Sequence, residues 1–254
     1  TRAGDHQCTI AYVNQVGAQD GLIFDGGGFV NQNGRMVLTL PRFQQTWQGV
    51  VVDLDRTLRL RTENTTWRGD REAWAARNEA VTMLPVEVKT KRDALTFPVP
   101  EGRSFFLPSS APVRTARERY CEDLLDALAL GIGDYFQKTK GFKCLGIALS
   151  GGRDSLMTLL IAHRWASRAG VPIETFYMPT RYSSDGTRDA AALIASELGV
   201  KFSIVPIDDA FEREMEAAKS MLGERALTPI TMQNVQARIR AQRMWNWANS
   251  SGGL

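Results

Sequence analysis

Apolar and polar residues follow two different periods along the chain, and the change of period divides the chain in two. Between residues 7 and 60, short apolar runs are separated by Gly, Asn and Asp, which is typical of β-strands joined by turns. Beyond residue 112, apolar residues recur every three to four positions in long stretches that alternate with short β-branched runs. The pattern predicts a β-rich first part and then an α/β part in which helices connect parallel strands.

The first part predicts short strands with little helix. We expect strands over 9–13, 22–24, 36–40, 47–53 and 57–61, and one short helix over 70–78. Asn33-Gly34 lies between apolar runs and predicts a two-residue hairpin turn. Gly26, Gly27 and Gly28 are followed by strand-like residues and not by a helix. We therefore interpret them as a tight turn or a close backbone approach, not as a phosphate loop.

A proline-rich stretch marks the boundary between the two parts. Residues 82–112 hold five of the ten prolines, with Lys and Arg interspersed, which is typical of a linker. Its basic residues have few aromatic neighbours, so we interpret them as a solvated face: Lys89, Lys91, Arg92 and Arg103. The predicted domains are therefore 1–81 and 113–254, joined by the linker 82–112.

The second part opens with an amphipathic helix. Thr115-Ala116-Arg117-Glu118 has the form of a capping box, and the helix extends to roughly residue 135. Its predicted apolar side, with Cys121 in the core, consists of Tyr120, Leu124, Leu125, Leu128 and Ile132. Strands over 173–178 and 202–205 alternate with helices over 187–198 and 211–222, and a last helix contains 231–240. Residues 250–254 predict a turn into another strand.

Composition and charge narrow the classes of partner. The net charge of +3 is too small to indicate nucleic acid or a membrane surface. No apolar run is long enough to span a bilayer, and the first residues lack the apolar core of a signal peptide. Three widely spaced cysteines form neither a disulfide framework nor a zinc site. We therefore expect a cytoplasmic protein with small-molecule ligands, without nucleic-acid or membrane partners.

The stretch with the clearest chemistry precedes a helix of the second part. Residues 144–149 are apolar, a turn of small residues follows, and leucines then recur at helical spacing. Backbone N–H groups at such a helix start have no partners within the helix and lie at the positive end of its dipole, which favours an anion. Glycine lets a phosphate approach the backbone closely. The predicted phosphate-binding residues are Ser150, Gly151, Gly152, Arg153, Asp154 and Ser155.

These six residues match neither of the two common nucleotide loops. They lack the Gly-Lys-Ser/Thr ending of a Walker A loop and the spacing of G-x-G-x-x-G. Asp154 has the wrong charge to bind phosphate directly, so we predict that it holds a Mg²⁺ ion that bridges to the phosphates. Ser-Gly-Gly-Arg-Asp-Ser resembles the pyrophosphate loop, SGGxDS, of the ATP pyrophosphatases, which cleave ATP between its α- and β-phosphates. By this resemblance, residues 150–155 bind ATP and its pyrophosphate. The alternative is a glycine turn without a ligand.

Two other regions belong with this loop on topological grounds. Ligands of parallel sheets bind beyond the carboxyl ends of the strands, so residues 150–155, residues 179–187 and Asp208 should surround one crevice. On the last helix, Arg238 and Arg240 are too close in sequence to share one face. We expect one of them to reach a ligand while the other pairs elsewhere.

Several segments resemble the glutamine-dependent NAD synthetases. Residues 12–17, 22–29 and 41–43 resemble the closing part of their nitrilase-type amidase domain. Residues 178–184 resemble a segment of their synthetase domain, with Thr180 where the family usually has Ser. The segment Asn-Val-Gln-Ala-Arg-Ile-Arg, residues 234–240, resembles the family signature. By this resemblance, Asn234 and Arg238 bind the deamido-NAD substrate.

The resemblance implies a fold and a reaction. The fold would be a β-rich remnant of a nitrilase-type α-β-β-α domain, followed by a Rossmann-like parallel-sheet ATP-pyrophosphatase domain. The reaction would be that of a ligase of NAD biosynthesis, in which deamido-NAD, ATP and ammonia from glutamine give NAD, AMP and pyrophosphate. ATP would be a co-substrate, Mg²⁺ the cofactor, and the assembly a homo-oligomer.

Parts of the family pattern lie outside these 254 residues. In the family, the Glu, Lys and Cys of the glutaminase lie upstream of the matched stretch. A Thr-Gly-rich loop and a second acidic Mg²⁺ ligand follow the point where this sequence stops. We therefore expect an internal fragment that carries no glutaminase triad and no catalytic residue of its own, and that is inactive by itself.

Two alternatives stay open at this point. Another ATP pyrophosphatase amidotransferase, such as GMP synthetase or asparagine synthetase, or a tRNA-thiolating enzyme, would share the loop. The nitrilase-like segments argue against all three, and the small net charge argues further against a tRNA substrate. A truncated, non-catalytic nucleotide-binding module would also keep the loop, and it would bind nucleotide without turnover.

Overall fold

A computed structural model describes residues 2–77, 84–85 and 114–254. The chain divides into two compact units, one of Thr1–Val16 with Asp25–Ala116 and the other of Gly17–Phe24 with Arg117–Leu254. The predicted linker 82–112, apart from Leu84 and Pro85, lies outside the described residues, and so do its basic residues Lys89, Lys91, Arg92 and Arg103.

A short helix α1 (Arg2–Asp5) precedes a four-stranded sheet. Its strands are β1 (Thr9–Val13), β2 (Val16–Gln19), β3 (Leu22–Gln32) and β4 (Arg35–Arg42). Both β1 and β4 pair antiparallel with β3. The predicted hairpin turn is confirmed, because Gln32 pairs with Arg35 and the intervening Asn33 and Gly34 have φ angles of 51° and 89°.

The glycine triplet is confirmed as a close backbone approach, although it forms no turn. Gly26, Gly27 and Gly28 lie inside β3, and the first two have φ angles of 67° and 74°. A Cβ on Gly28 would lie 2.6 Å from the carbonyl oxygen of Tyr12 on the neighbouring strand. The strand can therefore pass only without side chains at this point.

The strands predicted over 47–53 and 57–61 are wrong. Residues 45–53 form no regular element, and α2 (Leu54–Glu63) follows them. The side chain of Asp53 caps this helix by accepting a hydrogen bond from the Arg56 N–H at 3.0 Å. Its Leu and Arg residues are strong helix formers. The predicted short helix is present as α3 (Thr65–Ala75) and begins five residues early because Asn64 caps it.

The second unit has the predicted α/β alternation. Its elements are α4 (Ala116–Thr139), β5 (Leu145–Ala148), α5 (Arg153–Ala169), β6 (Ile173–Tyr177), α6 (Asp185–Glu197), β7 (Lys201–Ile204), α7 (Asp208–Leu222) and α8 (Pro229–Ser251). The three strands form a parallel sheet in the order β5-β6-β7. After α8, Gly253 forms a parallel bridge with Cys144, as the predicted turn into a further strand requires.

Two apolar clusters hold the second unit together. One joins the sheet to α4, α5 and α6 and includes the fully buried Leu149 and Leu159. The other joins α7 and α8 around Ile207, Phe211 and Ile239. No helix among residues 2–77 and 114–254 is long and apolar enough to cross a membrane.

The predicted apolar side of α4 is wrong in part. Tyr120, Leu124 and Leu128 are exposed, and so is Cys121, which we expected in the core. The buried residues of α4 are instead Ala129, Gly133 and Phe136. This face packs against α5 because Gly133 has no side chain. The Trp165 indole of α5 can therefore lie against the backbone of α4.

Candidate functional site

The six predicted loop residues connect β5 to α5. The helix begins at Arg153, and its cap residue Gly152 makes no side-chain capping bond. Ser155 Oγ accepts a hydrogen bond from the Ser150 N–H at 3.1 Å and donates to the Gly152 carbonyl at 2.9 Å. The two serine hydroxyls lie 3.0 Å apart. The loop is therefore closed on itself at the positive end of the α5 dipole.

The loop also packs on the first turn of α6. Gly151 has a φ of 79°, in the left-handed region that favours glycine. A Cβ at this position would lie 2.2 Å from the carbonyl oxygen of Thr187. Thr187 is held in turn by Tyr177, whose hydroxyl lies 2.8 Å from Thr187 Oγ1. The end of β6 thus supports the loop through α6.

A cavity of about 290 Å³ opens beside this loop, at the carboxyl ends of β5 and β6. Its apolar wall includes Leu149, Phe176 and Met178, and its polar wall includes Ser150, Ser184, Thr187 and Arg240. The predicted meeting of the loop with residues 179–187 is confirmed, because Tyr182 and Ser183 also line the cavity. An apolar wall next to a row of polar groups suits a heterocyclic ligand with a charged end.

Asp208 supports the crevice from outside the lining. One carboxylate oxygen accepts a hydrogen bond from the Arg181 N–H at 2.7 Å. The Arg181 guanidinium pairs with Glu212 on α7, and its Nε lies 3.9 Å from Asp208. Thr180 donates to Gln236 on α8 at 3.3 Å, so the loop after β6 contacts both α7 and α8.

The two arginines of α8 lie on different sides of the helix. Arg240 reaches the cavity, where its Nε donates to the Met178 carbonyl at 3.0 Å. Asn234 and Arg238 are exposed and do not line this cavity. Because an α-helix has 3.6 residues per turn, they lie on roughly the opposite side of α8 from Gln236 and Arg240. Arg240 had no assigned role in the sequence analysis, and the spacing of the two arginines was its only signal.

Asp154 lies in the first turn of α5 and is exposed. In the part of the chain that the structure describes, no group of three His, Cys, Asp or Glu side chains is close enough to hold a metal. A single carboxylate fits Mg²⁺, which often takes one or two protein carboxylates and fills its other positions with phosphate oxygens and water.

Comparison with known proteins shows the family of the chain. The sequence profile of the NAD synthase family matches residues 124–254. The chain belongs to the NAD synthase family. It is 31% identical over its whole length to the glutamine-dependent NAD(+) synthetase of Thermotoga maritima, and 30% identical over 98% of its length to that of Aquifex aeolicus.

These relatives are longer than the chain and match both of its units. The chain spans 40% of the length of either relative. Its fold is similar to that of the glutamine-dependent NAD+ synthetase of Acinetobacter baumannii, solved in complex with ADP. That similarity has a TM-score of 0.66 and 27% identity, and it covers 100% of this chain and 38% of the other. The NAD synthase match begins within α4 and includes the loop, the cavity and α8.

Proposed function

We propose that the gene product carrying these residues is a glutamine-dependent NAD synthetase, which amidates deamido-NAD to NAD at the expense of ATP. The observation that carries this proposal is the closed loop of residues 150–155 beside a cavity of about 290 Å³, in a chain of the NAD synthase family. The match to glutamine-dependent relatives along the whole chain supports ammonia from glutamine as the nitrogen source.

The chemistry requires two displacements. A carboxylate oxygen of deamido-NAD attacks the α-phosphorus of ATP, the bond to the bridging oxygen of the β-phosphate breaks, and pyrophosphate leaves with the electron pair. Ammonia then attacks the carbonyl carbon of the acyl-adenylate, AMP leaves, and the nitrogen loses a proton to water. Neither step needs a nucleophile from the protein, so positioning and electrostatic stabilisation suffice.

The loop residues would serve the first displacement. The N–H groups at the start of α5, together with the hydroxyls of Ser150 and Ser155, can donate to the departing pyrophosphate. Mg²⁺, when bound beside Asp154, would neutralise part of the negative charge that collects on the pyrophosphate. Gly151 and Gly152 keep the backbone accessible, and Arg153 is an exposed cation at the same helix start.

Deamido-NAD would bind along the exposed side of α8. Asn234 and Arg238 lie one turn apart there, and an amide next to a guanidinium suits the hydroxyl, phosphate and carboxylate groups of a dinucleotide. For the first unit we propose the closing part of a nitrilase-type glutaminase domain, residues 1–81, with 113–254 as the synthetase part. The three cysteines are free, which suits the cytoplasm, and we propose a homo-oligomer.

The test is NAD formation by the gene product with deamido-NAD, ATP, Mg²⁺ and either ammonia or glutamine. Asp154→Asn should lower turnover at least a hundredfold, with the far-ultraviolet circular dichroism unchanged because the side chain is exposed. Asp209→Asn is the matched control, since Asp209 is an exposed carboxylate in the first turn of α7. Full turnover by Asp154→Asn would contradict the role of Asp154.

Two alternatives correspond to other outcomes of the same assay. Cleavage of ATP to AMP with an acyl acceptor other than deamido-NAD would indicate another ATP pyrophosphatase amidotransferase. Nucleotide binding without any turnover by the gene product would indicate a non-catalytic nucleotide-binding module. For the 254 residues on their own we expect nucleotide binding without NAD formation.

A further inference from the structure

Arg240 is a half-buried cation that faces no carboxylate partner in the part of the chain that the structure describes. Its Nε donates to the Met178 carbonyl at 3.0 Å, and its Nη2 donates to the amide oxygen of Gln236 at 3.4 Å. Among the described residues no carboxylate pairs with it, whereas Arg164, Arg181 and Arg188 all have carboxylate partners. Burial lowers the pKa of the Arg240 guanidinium from its ordinary value. A desolvated charge of this kind is costly unless an anion meets it.

The strand register shows where this cation lies. Ala148 of β5 pairs with Phe176 of β6, and the ladder continues one residue further, because the Leu149 N–H donates to the Phe176 carbonyl at 2.9 Å. Ser150, the first residue of the loop, is therefore next to Met178 across a strand spacing of roughly 5 Å. Since Arg240 holds the Met178 carbonyl, its guanidinium lies beside the start of the loop, and both line one cavity.

We propose that Arg240 binds the α-phosphate of ATP and, after the first displacement, the phosphate of AMP. The inference rests on the proposed function and adds a second anion site to it. The loop of residues 150–155 takes the phosphates that leave, and Arg240 takes the phosphate that stays. Met178 and Gln236 accept hydrogen bonds from its Nε and Nη2, and no acceptor among the described residues takes one from its Nη1, so this amino group is available to a ligand phosphate.

This division has a chemical consequence. The α-phosphate is the group attacked in the first step and the leaving group in the second, so one cation can serve both steps. Pyrophosphate can then dissociate from the loop without loosening the adenylate, which Arg240 continues to hold.

The test compares ligands that differ only in this phosphate. We would measure the binding of adenosine, AMP and pyrophosphate to the gene product carrying this chain by calorimetry. Arg240→Met should weaken the binding of AMP about ten- to a hundredfold, which corresponds to the loss of one charge-assisted hydrogen bond. The affinities for adenosine and pyrophosphate should stay within about threefold of the parent's, because neither ligand presents an α-phosphate to Arg240. The matched control is Arg243→Met, which removes an arginine of the same helix that also donates to a backbone carbonyl, that of Pro206 at 2.7 Å.

A second variant keeps the test decisive if Arg240→Met fails to fold. Gln236 already accepts hydrogen bonds from Arg240 and Thr180, so Gln236→Glu keeps both contacts and gives Arg240 a carboxylate partner. Gln236→Glu should weaken the binding of AMP about tenfold and leave the binding of adenosine unchanged.

Three results would contradict these expectations. Equal weakening of AMP and adenosine would show that Arg240 only shapes the cavity, and unchanged AMP binding would show that it holds no phosphate. If the parent chain binds neither ATP nor pyrophosphate, the proposed function itself is wrong. If the parent binds both, and the variants still prefer AMP over adenosine as strongly as the parent does, then only the role proposed for Arg240 is wrong.

Discussion

Gly151 and Thr187 are in direct backbone contact, although they lie 36 positions apart in the sequence. A Cβ on Gly151 would lie 2.2 Å from the Thr187 carbonyl oxygen and 2.8 Å from its carbonyl carbon. These two atoms belong to the first turn of α6, so the obstruction is backbone and cannot rotate away. The position of the loop of residues 150–155 therefore depends on the absence of a side chain at residue 151.

Gly151→Ala should displace the loop and weaken MgATP binding at least tenfold. The new side chain meets the Thr187 backbone, and its φ of 79° by itself costs a non-glycine residue about 1–2 kcal/mol. Calorimetry with MgATP, with thermal unfolding in parallel, checks both effects. Gly186→Ala is the control, because a Cβ on Gly186 has no atom within 4 Å and should leave binding unchanged. Parental affinity in Gly151→Ala would show that this contact does not position the loop.

Gly133→Ala should destabilise the second unit, although Ala is the better helix former. A Cβ on Gly133 would lie 2.1 Å from the indole nitrogen of Trp165, so the indole must move out of its packed position. We expect a loss of about 1–3 kcal/mol in the free energy of unfolding, measured by urea denaturation.

Gly131→Ala on the same helix should act in the opposite direction. Its Cβ would meet Ile23 at 3.5 Å, an ordinary contact, so the helix propensity of Ala should raise the free energy of unfolding by about 0.5–1 kcal/mol. If both variants have the same sign, the packing of Trp165 against α4 is not as described.

Arg164→Met should loosen the pairing of α4 with α5. Arg164 donates to Asp126 at 2.7 and 3.0 Å and to Glu122 at 2.6 Å, and the Asp126 carboxylate raises the pKa of Arg164. Its removal takes a cation from two carboxylates one helical turn apart and leaves Asp126 with the longer Arg168 pair at 3.6 Å, so we expect a loss of about 1–2 kcal/mol in the free energy of unfolding.

The control for Arg164 is Arg188→Met. Arg188 also pairs with two carboxylates, Asp185 and Asp189, but these contacts are exposed on α6 and water screens them. Urea denaturation of this variant should match that of the parent within error. A comparable loss in the free energy of unfolding in both variants would mean that burial adds nothing to the stability contributed by the Arg164 ion pairs.

Local chemistry made much of the second unit predictable from the sequence. The change from an apolar run to Ser-Gly-Gly and then to helical spacing identified β5, the loop and α5 without reference to distant residues. Asn33-Gly34 did the same for the hairpin, because its turn type depends on those two residues alone.

The errors have tertiary causes or arise from weak local signals. Residues 54–63 have leucines and a threonine at intervals that fit either a strand or a helix, and the Asp53 cap decides for α2. On α4 the leucines suggested one face, but Gly133 and Trp165 determine which face packs. Arg240 was given no role because a contact with the Met178 carbonyl, 62 residues away in sequence, leaves no periodic signal.

The most direct test of the central claim is the stoichiometry of the ATP products. The gene product carrying this chain would be supplied with deamido-NAD, ATP, Mg²⁺ and ammonia, and the products followed by phosphorus NMR. Cleavage at the loop of residues 150–155 predicts one AMP and one pyrophosphate for each NAD formed. Formation of ADP and phosphate instead, or AMP release that does not depend on deamido-NAD, would contradict it.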